Sequence, residues 1–179
     1  AIEAIRIAKL RGAPVTCEVT PHHLWFTEDL CDYRVNPPIR TADDVAALVD
    51  AIQQGRVDAN ATDHAPHSEE DKAAGAAGMV GSETAFGVCY TKLCRGGGLP
   101  LELLSELMCS RPAQILGLNK GRLEPGYDAD LVLVDLDTPY TVDRDKLHSK
   151  SKNSPYQGAA LYGRVCATIK GGQLTYQAE

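Results

Sequence analysis

Residues 41–71, TADDVAALVDAIQQGRVDANATDHAPHSEED, decide the fold. Thr41 is placed to cap a helix whose first turn carries Asp43 and Asp44, and Gly55 to close it. The stretch that follows starts as a strand, over about 57–62, and ends as a loop containing Pro66. Three reactive side chains, Asp63, His64 and His67, fall directly after that strand. Parallel β/α folds collect their functional loops at the C-terminal ends of strands, so this order predicts a β/α architecture with its chemistry at that edge.

Upstream, Ile2, Ala4, Ile5, Ile7, Ala8 and Leu10 repeat at helical spacing, predicting a helix over 1–11 closed by Gly12 and Pro14. Val15, Cys17 and Val19 alternate with Thr16 and Glu18, predicting a short strand that Pro21 ends. The segment YRVNPPIR (33–40) carries two prolines and reads as a rigid loop. Downstream, KAAGAAGMVG (72–81) is small and flexible in composition and reads as a mobile loop rather than a core element. Helices are expected over about 83–95, 100–108 and 111–116.

Near Asn119 the pattern changes to strands and turns. Leu131–Val134 form a near-continuous apolar strand, YTV (140–142) another, and IKGGQLTYQ (169–177) a hairpin with a Gly-Gly turn. We therefore expect residues 1–118 to form β/α units and 119–179 a small β module.

The chain has 179 residues, a formal net charge of −6, 44% hydrophobic and 23% charged residues. That composition suits a folded domain able to bury roughly 70% of its unfolded surface, not a disordered chain. No apolar run approaches the ~18 residues that would span a bilayer, so no membrane span is expected. The acidic balance argues against nucleic acid as a partner. None of the six cysteines forms a C-x-x-C pair, and Cys89 with Cys94 is only a loose C-x4-C, so reduced thiols in a cytoplasmic protein are expected. The chain opens directly as a helix, without an initiator Met or a signal peptide, as would a chain cut at an internal point.

Local reading leaves alternatives open at each reactive cluster. Asp63 could cap a turn beside solvated histidines, and D-H-x-x-H is not by itself a metal signature. Glu18, His22 and His23 in CEVTPHHLW (17–25) lie at a strand end, where Pro21 could simply turn the chain. Asn36, held between Val35 and Pro37, could hydrogen-bond a carboxylate or an imide, or satisfy a turn.

Together the motifs say more. EVTPHHL (18–24), VNPPIRT (35–41), ATDHAPHSEEDK (61–72), GMVGSETAFG (78–87), PAQILGL (112–118), PGYDADLVLVD (125–135) and SKSKNSPYQG (149–158) occur here in one order. In this order they resemble the C-terminal part of the bacterial-type dihydroorotases, within the amidohydrolase superfamily, over essentially the whole chain. The resemblance implies the C-terminal part of a (β/α)8 TIM-type hydrolase barrel, residues 1–118 holding its last two strands and following helices, with 119–179 a small β-sandwich module. It implies reversible cyclisation of N-carbamoyl-L-aspartate to L-dihydroorotate, a step of pyrimidine biosynthesis, with one or two zinc ions. In that pattern Asp63 binds metal and shuttles the proton, Asn36 and His67 hold substrate, and the backbone of Ala77 and Gly78 contacts it. Glu18 matches a position that in some members approaches an additional metal. The family's other metal ligands lie upstream of Ala1, so the chain alone is expected to be inactive. Many members carry Pro-Phe where this chain has Ala76-Ala77. A homo-oligomer is expected, with aspartate transcarbamoylase as a candidate partner. The competing readings are an allantoinase or dihydropyrimidinase, and a non-catalytic dihydroorotase-like scaffold.

Overall fold

A computed structural model describes residues 1–178. Helix α1 (Ile2–Leu10) leads into strand β1 (Glu18–Val19), followed by α2 (Pro21–Trp25), α3 (Ala42–Gln53) and strand β2 (Ala59–Asn60). β1 and β2 pair in parallel, Glu18 opposite Ala59 and Val19 opposite Asn60. Both strands are shorter than the sequence pattern suggests, but the ladder extends past them: the amides of Asp58 and Ala59 donate to the Cys17 carbonyl, and that of Ala61 to Val19. α3 forms as its caps dictate. The Thr41 hydroxyl accepts from the Asp44 amide, Val45, Ala51 and Ile52 are buried, and Gly55 turns out of the helix at φ +67°.

α2 is a difference from expectation. Pro21 does end the strand, but it also occupies the first helical turn, where its missing N–H is no loss. The Thr20 side chain caps that turn by accepting from the His23 amide.

The segment expected to be a mobile loop is instead largely built in. Residues Glu69–Ala73 form α4, started by a capping box between Ser68 and Asp71. Gly78, Met79, Val80 and Gly81 are buried, and Met79 makes a parallel bridge to His64. Small residues here serve close approach rather than mobility: a Cβ on Gly81 would sit 2.9 Å from the Thr62 carbonyl oxygen.

The helices expected over 83–95 and 100–108 exist, but each changes pitch. α5 (Ala85–Cys89) continues as a π-helix over Tyr90–Arg95. α6 (Leu101–Ser105) continues as a π-helix over Glu106–Ser110 and then as α7 (Arg111–Ile115). A 3.6-residue hydrophobic period does not reveal such a change. One buried cluster, with Leu24, Ile52, Val57, Leu93, Leu104 and Leu107, packs these helices on α2, α3 and the start of β2.

The remaining strands are β3 (Leu131–Asp135), β4 (Tyr140–Thr141), β5 (Ala160–Leu161), β6 (Arg164–Lys170) and β7 (Gln173–Gln177). β3, β6 and β7 form an antiparallel sheet in the order β3-β6-β7, and β4 pairs with β5. Gly171 and Gly172, at φ +55° and +77°, make the β6–β7 turn as expected. A second buried cluster joins Val35, Met79 and Val88 to Val142, Tyr156 and Leu161, so side chains before and after residue 119 share one apolar core. Among the described residues no helix is long and apolar enough to cross a membrane.

The Asp58 carboxylate ties α1 to both strands. Lys9 Nζ lies 2.7 and 2.5 Å from its oxygens, and the Cys17 amide donates to it at 2.7 Å. Burial pushes its pKa up, but the Lys9 ammonium and the Cys17 N–H outweigh that and hold it below the usual carboxylate range. A depressed folded-state pKa stabilises above the unfolded pKa, and that contribution is lost as pH falls through the folded value. Asp58→Asn is therefore expected to cost about 1 kcal/mol at pH 7, since both partners are partly exposed. The deficit, measured from urea midpoints, should shrink towards zero below the carboxylate range. An equal deficit at pH 7 and pH 3 would show that the charge is not the cause.

Candidate active site

Because β1 and β2 run parallel, the residues that follow them leave the ladder at one edge. His22, three residues past Val19, and Asp63, three past Asn60, meet there: His22 Nε2 is 3.9 Å from Asp63 Oδ2. The two side chains differ sharply in environment. The His22 side chain is 1% exposed and Nε2 has no hydrogen-bond partner. Burial, with a smaller contribution from His23, pushes its pKa down to about 4, so the ring is neutral near pH 7. The Asp63 side chain is 46% exposed and makes no hydrogen bond among the described residues. Its backbone is in the left-handed region at φ +49°, which Asp tolerates better than most residues but which still carries strain. A strained residue presenting an unpartnered carboxylate at a strand end is a candidate for chemistry rather than for packing.

The histidines that follow in sequence do different work. His64 Nδ1 accepts from the amides of Gly81 and Ser82 at 3.1 and 3.3 Å, so it anchors the buried turn and is fixed with that nitrogen unprotonated. His67 turns the other way. Its Nε2 lies 3.0 Å from the Ala77 carbonyl oxygen, which can only accept, so Nε2 carries the proton and donates. Gly78 is tied in turn to the Asn36 loop, its amide donating to the Arg34 carbonyl at 3.0 Å. The Lys72 ammonium spends its three protons on the carbonyls of Arg34, Ala76 and Gly78, at 3.1, 2.9 and 2.9 Å, and sits over the Tyr33 ring at 4.3 Å.

The structure thus brings His67, Ala77 and Gly78 into one bonded unit, with residues 33–34 braced against it. Asn36 itself is exposed beside buried Val35, and its peptide bond to Pro37 is cis. The Pro37 carbonyl oxygen lies 2.9 Å from His23 Nε2, which couples this loop to α2. Neither the Asn36 nor the Glu18 side chain makes a hydrogen bond among the described residues. Sequence reasoning missed the bracing roles of Lys72, His64 and His23, and of Ser151 and Asn153. The only signal for the last two is that they lie in the quoted SKSKNSPYQG segment.

Among the described residues no three His, Cys, Asp or Glu side chains are grouped to hold a metal ion. Asp63, exposed and unpartnered, can supply one ligand to such a site and cannot make one alone.

Comparison with known proteins decides the family. The model of the amidohydrolase family matches residues 3–175. The chain belongs to the amidohydrolase family. Its curated relatives include dihydroorotases from Clostridium botulinum, 51% identical over 99% of the chain, and from Lactobacillus leichmannii, 42% identical over 99%. The chain spans about 44% of the length of each. Among solved structures it is similar to an L-hydantoinase (dihydropyrimidinase) from Arthrobacter aurescens, with TM-score 0.93 and 34% identity over 98% of the chain and 42% of that protein. A D-hydantoinase from a Thermus species matches at TM-score 0.91 and 25% identity, over the same shares. In this amidohydrolase segment, the unit of His67, Ala77 and Gly78 and the free carboxylate of Asp63 are the features left to be given a function.

Proposed function

We propose that this chain is the C-terminal part of a dihydroorotase, interconverting N-carbamoyl-L-aspartate and L-dihydroorotate. The observation that carries the proposal is the free Asp63 carboxylate at the end of β2, in a chain whose curated relatives at 42–51% identity are dihydroorotases. Those identities favour this substrate over the hydantoins named for the structural neighbours.

In the proposed architecture β1 and β2 are the last two strands of a (β/α)8 barrel, residues 1–118 complete that part, and 119–179 form a small β-sandwich domain. Asp63 would be one ligand of a zinc ion whose other ligands come from the rest of the polypeptide, and Glu18 would lie near an additional metal. Bound metal would supply an activated water and a polarised carbonyl. Asp63 moves the proton. In cyclisation the carbamoyl nitrogen loses a proton as it bonds to the carboxyl carbon and water departs. Asp63 accepts that proton and returns it to the leaving carboxylate oxygen, which takes a second proton from solvent to depart as water, and the hydrolytic direction reverses the transfers. His22 keeps the inner side of Asp63 dry and uncharged.

His67 and Asn36 hold the substrate. Since Nε2–H of His67 is already given to Ala77, Nδ1 is the ring nitrogen left for substrate, and with a second proton there it would donate to a substrate carboxylate. The Asn36 amide and the backbone at Ala77–Gly78 add neutral hydrogen bonds. The exposed apolar side chains of Leu123, Val132, Leu133 and Leu174 suit the association expected of a cytoplasmic homo-oligomer, with aspartate transcarbamoylase as a candidate partner.

The test is cyclisation of carbamoyl-aspartate by the full-length protein, with metal content measured on the same sample. No turnover by a protein loaded with zinc would overturn the proposal. In the active protein, His67→Ala and Asn36→Ala are expected chiefly to raise KM. A lost charged hydrogen bond is worth ~1.5–3 kcal/mol and a neutral one ~1 kcal/mol, so KM should rise about tenfold or more for His67 and about fivefold for Asn36. Unchanged KM in both would remove these residues from the site.

A further inference from the structure

We infer that Asn153 is a positioning residue of this site, through which the C-terminal segment sets the distance between His67 and the Ala77–Gly78 backbone. The inference rests on the reading of His67 and Gly78 as substrate contacts.

Asn153 belongs to SKSKNSPYQG (149–158), between β4 and β5, far in sequence from the His67, Ala65 and Gly78 backbone it touches. Its Oδ1 accepts from the His67 amide at 3.2 Å, across 86 residues. Its Nδ2 donates to the Gly78 carbonyl at 3.2 Å and reaches the Ala65 carbonyl at 3.5 Å. The Ser151 hydroxyl lies 2.5 Å from Oδ1 and also faces the His67 carbonyl oxygen. A side-chain amide offers two donor protons and two acceptor lone pairs. Here both kinds are used on the two stretches of chain that carry the candidate substrate contacts, the acceptor on His67 and the donors on Gly78 and Ala65.

The amide is itself held. The Asn153 carbonyl oxygen accepts from the Val80 amide at 2.9 Å, so the backbone at 153 runs along the buried segment 78–81. Three residues on, Tyr156 is 1% exposed and stacks on Phe26 with ring centres 4.9 Å apart. A group whose rotamer and backbone are both fixed transmits position rather than following it. Asn153 fixes the His67 backbone and the Gly78 carbonyl to one point, while His67 Nε2 and the Ala77 carbonyl close the other side. With the Asn153 link gone, one bond from His67 Nε2 to the Ala77 carbonyl is left between the ring and the 77–78 backbone, and their spacing loosens. Substrate then meets two contacts that no longer share a fixed spacing. Asn153 touches neither metal nor reacting atoms, and its effect on turnover is indirect.

The test uses the full-length protein with Asn153→Ala, Asn153→Asp and Ser151→Ala. The aspartate keeps the acceptor for the His67 amide but turns lone pairs on the Gly78 and Ala65 carbonyls. For both Asn153 variants KM for carbamoyl-aspartate is expected to rise between about tenfold and about 10²-fold, with kcat falling less. Ser151→Ala should raise KM in the same direction by a smaller factor. A merely structural role predicts a lower melting temperature with KM unchanged, and KM within twofold of wild type in all three variants overturns the inference. Should the wild-type protein not use carbamoyl-aspartate, the function reading fails by itself. Hydrogen exchange at the His67 amide then decides this inference. Exchange at least tenfold faster in Asn153→Ala, at unchanged global stability, supports it, and unchanged protection overturns it. If the Asn153 variants do not fold, Ser151→Ala is read by the same two criteria.

Discussion

Asp63→Asn in the full-length protein is expected to lower kcat for carbamoyl-aspartate by at least ~10²-fold while leaving the fold intact. The proposed proton transfer needs a carboxylate, because an amide oxygen is far too weak a base to accept a proton near pH 7. The same change removes a charged ligand, so metal content should fall or its binding weaken. Two features make this a clean substitution. Asn tolerates the left-handed region as well as Asp does, so the backbone at φ +49° is not further strained. The carboxylate is half-exposed and holds no hydrogen bond among the described residues, so no internal partner is orphaned. Circular dichroism and melting temperature should therefore match wild type. Steady-state kinetics and metal analysis on one preparation check the result, and near-normal kcat would sink the role given to Asp63.

Gly78→Ala should have the next largest effect, through geometry rather than charge. Gly78 has φ +136°, a conformation that side chains rarely adopt. A Cβ there would lie 2.6 Å from the Ala65 Cβ, 3.0 Å from His67 Nε2 and 3.1 Å from the Ala65 carbonyl oxygen. These neighbours are a methyl group fixed to its backbone, a backbone carbonyl and a braced ring, so the loop must move away from His67. We expect kcat/KM to fall by about 10²-fold, the scale of an ångström-sized misplacement, with a stability loss of ~1–3 kcal/mol. Gly12→Ala separates the two causes. Gly12 also has positive φ, at +80°, but no atom lies within 4 Å of an added Cβ. That variant should lose stability without a change in KM. A Gly78→Ala protein with wild-type KM would show that the 77–78 backbone does not contact substrate.

Much of this chain is legible from residues close together in sequence. The Thr41 cap with Asp43, Asp44 and Gly55 determined α3, because a helix end is satisfied by groups within four residues. Gly171-Gly172 determined the β6–β7 turn, because only its two central residues set the backbone twist. The run from Ala59 to His67 placed a carboxylate after a strand, and the ordered motifs pointed to the family that the comparison with known proteins established.

What the tertiary structure alone decided lies in contacts between distant segments. Nothing within five residues of His22 says that its ring is buried against Asp63, because that follows from the parallel pairing of β1 with β2, whose partners Glu18 and Ala59 are 41 residues apart. The split of work between His64 and His67 depends on which backbone groups of residues 77–82 come within reach of each ring. The glycine-rich stretch 72–81 has the composition of a flexible loop. Lys72, His64 and Asn153 convert its end, residues 78–81, into a buried wall by accepting or supplying its backbone hydrogen bonds. Composition registers how freely a segment can move in isolation. Only the fold determines whether its unpaired carbonyls and amides find partners, and in this protein those partners lie as far as 75 residues away along the chain.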